Sequence, residues 1–269
     1  MWHPRTQFRL LRVALHVLQG CATVALVYPW LSEPHRLALK KRWSRQLLAM
    51  LGVRLRYQGA LQTDASLPCG LIVANHISFL DIFVVNAIAP AAFVSKDDVR
   101  GWPLVGWLSQ HTDTLFLERG SRSAAQRARE NLVNHLRRGK RVALFPEGTT
   151  TRGDTVLPFH SALLQSAIDA DATVTPIVLR YLAIDGSHST APAYVDDISL
   201  LECLRAIADE KRIYAEVMAH APLSTAEIDR RQLSAHAHRM IAHALHGQHT
   251  EPSNESVGLS QPTVQAAAG

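Results

Sequence analysis

The segment 71–81, LIVANHISFLD, runs an apolar stretch into Asn75 and His76 and places Asp81 five positions beyond the histidine. Imidazole and carboxylate together make a general-base pair. The carboxylate fixes one ring nitrogen in its protonated tautomer and stabilises the imidazolium, leaving the other nitrogen to take a proton. On a regular helix five positions turn about 140°, so His76 and Asp81 would not share a face. They meet if a strand ends at Asn75 and the chain turns before the next helix starts, which puts His76 at a strand exit, where catalytic groups often sit. Taken alone, a capping aspartate and a core histidine are the commoner explanation of this spacing.

Two further segments carry polar chemistry at strand ends. In 141–153, RVALFPEGTTTRG, a strand runs into Pro146, Glu147 and Gly148 and then three threonines. Pro and Gly force a turn, and the hydroxyls and N–H groups after it form a concave donor surface suited to anionic oxygen. Glu147 is out of place there unless it contacts a hydroxyl or a cation, and a plain polar turn is the simpler reading of this segment by itself. The run Thr114 to Arg119 is a strand that ends in Glu118 and Arg119; a guanidinium captures phosphate bidentately, while a surface ion pair is the alternative.

Together these segments resemble the PlsC-type glycerolipid acyltransferases, the lysophosphatidic acid acyltransferase family. Asn75 to Asp81 matches its N-H-x4-D block, and Phe145 to Thr149 its F-P-E-G-T block. Thr114 to Arg119 falls where the family has G-x-I-F-I-D-R, and Val174 to Ile177 resembles V-x-P-V/I. Order and spacing agree for all four, over about residues 55 to 220. The resemblance implies an α/β domain with a mixed central sheet flanked by helices, preceded by membrane-associated helices. It implies single-step acyl transfer with no cofactor: His76 as base on a lysolipid hydroxyl, Asp81 orienting it, acyl-CoA or acyl-carrier protein as donor, and no acyl-enzyme on Ser78. Glu118, Arg119, Glu147, Gly148, Thr149 and Arg152 would bind the acceptor, and Lys96, after a strand, would help with an anionic headgroup. The implied acceptor is 1-acyl-sn-glycerol 3-phosphate, giving phosphatidic acid. Three positions depart from the family: Asp113 stands for Gly, Glu118 for Asp, and Thr150 for the arginine after the threonine, with Arg152 two positions later. The run F-P-E-G-T-T-T followed by Val156 to Phe159 also resembles the branch that contains lyso-ornithine lipid acyltransferases, which makes that lipid the alternative acceptor.

The elements that must position these groups follow from periodicity. Runs at 71–74, 93–95, 114–118, 141–145, 173–181 and 213–218 read as strands, alternating with helices at 123–138, 161–170 and 225–246. Val13 to Leu31 carries no formal charge and just reaches a membrane span, but His16, Gln19, Gly20 and Pro29 interrupt it. A tilted span, a re-entrant hairpin, an interfacial segment and a buried core helix are all open readings. Residues 36–51 place Leu39, Trp43, Leu47 and Met50 on one helical side and Lys40, Lys41, Arg42 and Arg45 on the other, a basic amphipathic helix suited to a membrane surface. The expected organisation is a membrane-associated segment at 1–52, an acyltransferase domain at 53–246 and a disordered tail at 247–269. If the apolar run spans, the five basic residues just after it against three before it put the domain on the cytoplasmic side of the inner membrane, where acyl thioesters are made.

With 28 Lys+Arg against 23 Asp+Glu the formal charge is +5, which favours an anionic partner without choosing it. Three distant cysteines suggest neither a disulfide framework nor a structural metal. His236, His238, His243 and His246 have no carboxylate or cysteine interleaved and do not read as a metal site. There is no nucleic-acid-binding motif, and no G-x-S-x-G elbow to support a thioesterase or lipase using Ser78. A membrane adaptor without activity would not need His76, Asp81 and Glu147 intact.

Overall fold

The computed structural model describes residues 3–59, 67–102, 104–117 and 122–247. Its centre is strand β2 (Gly70–Ala74), in which every residue is buried. Because strand side chains alternate, Ile72 and Ala74 enter one apolar core while Leu71 and Val73 enter a second on the opposite face. Around it lie β1 (Val53–Gly59), β3 (Ala92–Lys96), β4 (Leu115–Leu117), β5 (Arg141–Leu144), β6 (Val174–Leu182) and β7 (Ile213–Ala219). The strand order is β1-β7-β6-β2-β5-β3-β4. Only β6 and β7 run antiparallel, so the sheet is mixed, as expected.

Helices cover both faces. Helices α2 (Glu33–Leu51), α3 (Leu80–Ile88) and α7 (Leu200–Asp209) close the first core with Leu47, Leu48, Val84, Ile88, Cys203 and Ile207. Helices α5 (Arg122–Arg137), α6 (Gln165–Asp169) and α8 (Arg230–His246) close the second with Leu132, Leu136, Ala167, Leu233 and Ile241. Helix α4 (Val105–His111) connects β3 to β4. Helix α8 begins five residues later than its sequence signal, because Asp229 caps it and forms a reciprocal box with Gln232.

The N-terminal helix α1 (Pro4–Leu26) absorbs the polar interruptions of the apolar run into a docking face. Thr6, Val13, His16, Gly20 and Val24 are its buried residues. His16 stacks on Trp43 at 4.7 Å, and the Trp43 indole donates to the His16 carbonyl at 3.2 Å. Any Cβ at Gly20 would lie 2.8 Å from that indole, so the glycine lets the ring in. The opposite face exposes Phe8, Leu11, Leu15, Leu18 and Leu26, each more than half accessible. Helix α2 departs from its expected two-sided pattern: Lys40 and Arg45, placed by periodicity on the outer basic side, turn inward. The Lys40 ammonium donates to the carbonyls of Thr112 at 2.8 Å and Ala91 at 3.2 Å, and Arg45 donates to the Ala87 carbonyl at 2.8 Å. Burial pushes the Lys40 ammonium below its ordinary value. Long basic side chains here satisfy carbonyls at the ends of α3 and α4, which the helical period alone does not reveal.

Candidate active site

Strands β2 and β5 are parallel neighbours, with Val73 opposite Leu144, so the chain leaves both at the same end of the sheet. Residues 75–81 and 145–152, some 70 positions apart in sequence, therefore meet. This is the crevice beyond the carboxyl ends of parallel strands, where open α/β sheets bind ligands. The turn required between Asn75 and α3 is present. Asn75 is fully buried, and its side-chain amide pairs with the Leu179 N–H at 2.8 Å and the Leu179 carbonyl at 3.0 Å. The amide substitutes for a peptide group and ends β2 without stranding its neighbour's hydrogen bonds.

Beyond that stop, His76 Nδ1–H donates to Asp81 Oδ2 at 2.8 Å. The same oxygen accepts the backbone N–H groups of Ile77 at 2.7 Å and Ser78 at 2.9 Å. Asp81 Oδ1 accepts the Tyr181 hydroxyl at 2.7 Å. Asp81 and Tyr181 have no exposure, whereas the His76 side chain is 20% exposed. Its ring stacks on Phe145, centroids 4.0 Å apart and planes within 5°. Among the described residues nothing pairs with Nε2, so that nitrogen is open. Ser78 is buried and its Oγ accepts the Leu80 N–H at 3.2 Å, so it is turned onto the backbone of the bend before α3 and not presented to a substrate.

The second segment grips the first by its backbone. Glu147 Oε1 accepts the His76 N–H at 2.7 Å, and Oε2 accepts the Leu157 N–H at 2.7 Å. The His76 carbonyl accepts the Thr151 N–H at 2.8 Å. Burial raises the Glu147 carboxyl above its ordinary value, opposed by the N–H groups of Leu157 and His76. Both oxygens of Glu147 are thus occupied by backbone N–H groups, one of them that of His76, and do not face open space. Gly148 (φ +70°) and Thr149 are exposed beside it, with His160 only 3.2 Å from where a Gly148 Cβ would stand. Thr150 donates its hydroxyl to the Tyr194 carbonyl. Arg152 is exposed and pairs with Asp196 at 2.9 Å. Lys96 ends β3, opposite Leu117 in register. Glu118 and Arg119 lie outside the described residues.

The acyltransferase family model matches residues 57–180. A lyso-ornithine lipid O-acyltransferase of Pseudomonas aeruginosa is 33% identical over 246 residues, covering 88% of this chain and 95% of that protein. The chain belongs to the acyltransferase family. A 1-acyl-sn-glycerol-3-phosphate acyltransferase of Neisseria gonorrhoeae is 39% identical to the acyltransferase over 147 residues, 55% of this chain and 57% of the other. The fold matches the crystal structure of the 1-acyl-sn-glycerophosphate acyltransferase PlsC of Thermotoga maritima, with a TM-score of 0.71 at 17% identity over 92% of this chain and 95% of that one.

Several residues of this candidate site carry little sequence signal. Tyr181 follows Asp81 by 100 positions, and a tyrosine in an apolar strand reads as core. Phe145 and Thr151 sit inside a recognised segment, but stacking and backbone clamping leave no motif of their own. Asp113 adopts φ +63°, a conformation open to glycine and tolerated by aspartate, which accounts for this departure from the family pattern.

Proposed function

We propose that the protein is a membrane-surface O-acyltransferase that moves a fatty acyl group from acyl-CoA or acyl-carrier protein to the free hydroxyl of a lysolipid. The observation that carries this reading is the His76–Asp81 pair, with Nδ1 held by a buried carboxylate and Nε2 open. In the reaction His76 Nε2 takes the acceptor hydroxyl proton as the oxygen attacks the thioester carbonyl. Collapse of the tetrahedral intermediate forms the ester, breaks the carbon–sulfur bond and returns the proton from the imidazolium to the thiolate. Glu147 and Thr151 act through the His76 backbone, holding the base at its position.

Two observations favour lyso-ornithine lipid as acceptor. The similarity to a lyso-ornithine lipid acyltransferase runs through nearly the whole chain. The hydroxyl that stands where the family has its arginine, Thr150, bonds the Tyr194 carbonyl, and Arg152 pairs outward with Asp196. The second reading, 1-acyl-sn-glycerol 3-phosphate, draws on the higher identity over the central 147 residues. The exposed apolar row of α1, opposite the face docked on the protein, supports an in-plane seat at a membrane surface over a span surrounded by lipid; the cytoplasmic face of the inner membrane is the side on which acyl-CoA and acyl-carrier protein are made. Membranes containing wild type or His76→Ala, given acyl-CoA and each acceptor separately, test the proposal. The expected result is a His76-dependent ornithine lipid, reduced about 10³-fold in the variant. Phosphatidic acid in its place would select the second acceptor, and turnover that survives the substitution would overturn the mechanism.

A further inference from the structure

The two oxygens of Asp81 are loaded unequally. Oδ2 receives three N–H groups, from His76, Ile77 and Ser78. Oδ1 receives the Tyr181 hydroxyl, its sole partner among the described residues. Backbone N–H groups can only donate, so Oδ2 is an acceptor throughout. The torsion between a carboxylate and its Cβ is soft, and three bonds converging on one oxygen leave the group free to pivot about it. A bond to the other oxygen removes that freedom. Tyr181 is fully buried in β6, and its depth is fixed by pairing with Ala215 of β7.

We propose that Tyr181 is a positioning residue for acyl transfer: its hydroxyl pins Asp81 Oδ1, and so sets the plane and the charge distribution of the carboxylate that holds His76. This inference rests on the reading of His76 as general base. The titratable groups that face the pair, besides Tyr181 itself, are Cys203 from α7 and Glu147 after β5. Burial pushes the Cys203 thiol up to about 11, so it stays neutral. Burial first, and then the Asp81 charge, push the Tyr181 phenol well above its ordinary value, so it remains a donor across the working range. Without this donor the negative charge concentrates on the side that faces His76, and the imidazolium is held more strongly.

The test compares wild type, Tyr181→Phe, His76→Ala and a protein with 3-fluorotyrosine at position 181, whose more acidic phenol is a stronger donor in the same space. Two curves are recorded for each protein that retains His76. One is the pH profile of kcat/KM for acyl transfer, with His76→Ala as the blank. The other is the pH dependence of diethylpyrocarbonate modification of His76, read by peptide mass spectrometry; it follows the unprotonated imidazole and needs no turnover. In Tyr181→Phe both acidic limbs are expected to move up by about half to one pH unit. Its kcat falls about tenfold with KM little changed, the mark of a group felt mainly in the transition state. The fluorinated protein moves both limbs the opposite way. Coincident curves in wild type and Tyr181→Phe, or shifts of the same sign in both substitutions, would overturn the proposal and leave Tyr181 a packing residue. If the modification curve moves but no His76-dependent transfer is found, the pinning of the carboxylate stands and the acyl-transfer reading fails.

Discussion

Glu147 accepts a backbone N–H on each carboxylate oxygen, and that arrangement selects glutamate over its closest isostere. A glutamine has one acceptor oxygen, so its NH2 group would face an N–H donor of either His76 or Leu157. Glu147→Gln is therefore expected to lower unfolding stability by about 1–3 kcal/mol, the cost of leaving a buried donor unpaired. It should also reduce acyl transfer, because the displaced partner is the backbone of His76, the proposed base; chemical denaturation and initial rates on the same preparation check both. The pH dependence has a definite sign. Burial raises the folded carboxyl above its unfolded value, so the folded state binds the extra proton between the two. The contribution of Glu147 to stability is full below the ordinary carboxylate range and declines as pH rises through the raised value. The stability difference between wild type and Glu147→Gln should accordingly narrow over that interval, which melting curves at a series of pH values would show. At this scale the sequence reveals what chemistry and short separation join. His76 and Asp81 are the right types five positions apart, and Glu147 stands out as an acid in a turn of donors. Tyr181 is invisible because its hydroxyl finds Asp81 only after β6 is laid beside β2.

Among the elements, α1 is the one whose sequence leaves the most readings open, and its docking explains why. The groups that spoil it as a simple span, His16 and Gly20, are those that meet Trp43. Near its start Arg9 reaches past the end of α7 and donates to the carbonyls of Ala208, Glu210 and Lys211. Ala208 and the cap residue Glu210 carry carbonyls that the end of α7 leaves without internal partners, and Lys211 lies just beyond it. Gly52, at φ +83°, terminates α2 directly beneath that guanidinium, 2.5 Å from where a Cβ would be. Arg9→Ala should therefore release the first turns of α1 while the sheet stays intact. The expected readout is faster proteolysis before Val13 and little change in the melting of the remaining domain; equal protection in both proteins would show that the latch is dispensable. The inner strands and the long helices are legible because their apolar runs are continuous or amphipathic over several turns. Strand β1 is not among the strand signals, although Val53, Leu55 and Tyr57 alternate with Arg54 and Arg56. Its arginines lie on the outer side of an edge strand, with Arg56 over the Tyr214 ring at 3.4 Å, so nothing about them signals a sheet. Helix α7, ten residues long, has its clearest sequence signal in the reciprocal capping box of Ser199 and Glu202 at its start, which the apolar periodicity does not register.

At the scale of the whole molecule, strand directions decide where the N-terminal helix stands relative to the chemistry. Val53 of β1 pairs with Ile213 of β7, and β7 runs against β6, which runs with β2. The first residues of β1 and β7 therefore lie at the end of the sheet where β2 delivers His76. Arg9 contacts Lys211, and Gly52 just before β1, so the first half of α1 occupies that same end. The exposed row Phe8, Leu11, Leu15 and Leu18 thus begins level with the site. A helix lying in a leaflet along this row would hold the crevice beside the headgroup region, where a lysolipid hydroxyl is found, and the lipid need not leave the membrane. Each of these side chains contributes on the order of 1 kcal/mol on leaving water. Replacing all four by glutamine keeps helix propensity and removes that term. Partition onto vesicles of mixed zwitterionic and anionic lipid is expected to fall at least tenfold, or about 1.4 kcal/mol. Acyl transfer to a long-chain lysolipid in those vesicles should fall with it, while transfer to a short-chain, monomeric acceptor in solution should keep the wild-type rate. Unchanged vesicle binding would place the membrane contact elsewhere; equal loss on both acceptors would mean that the row supports the fold and not the seat.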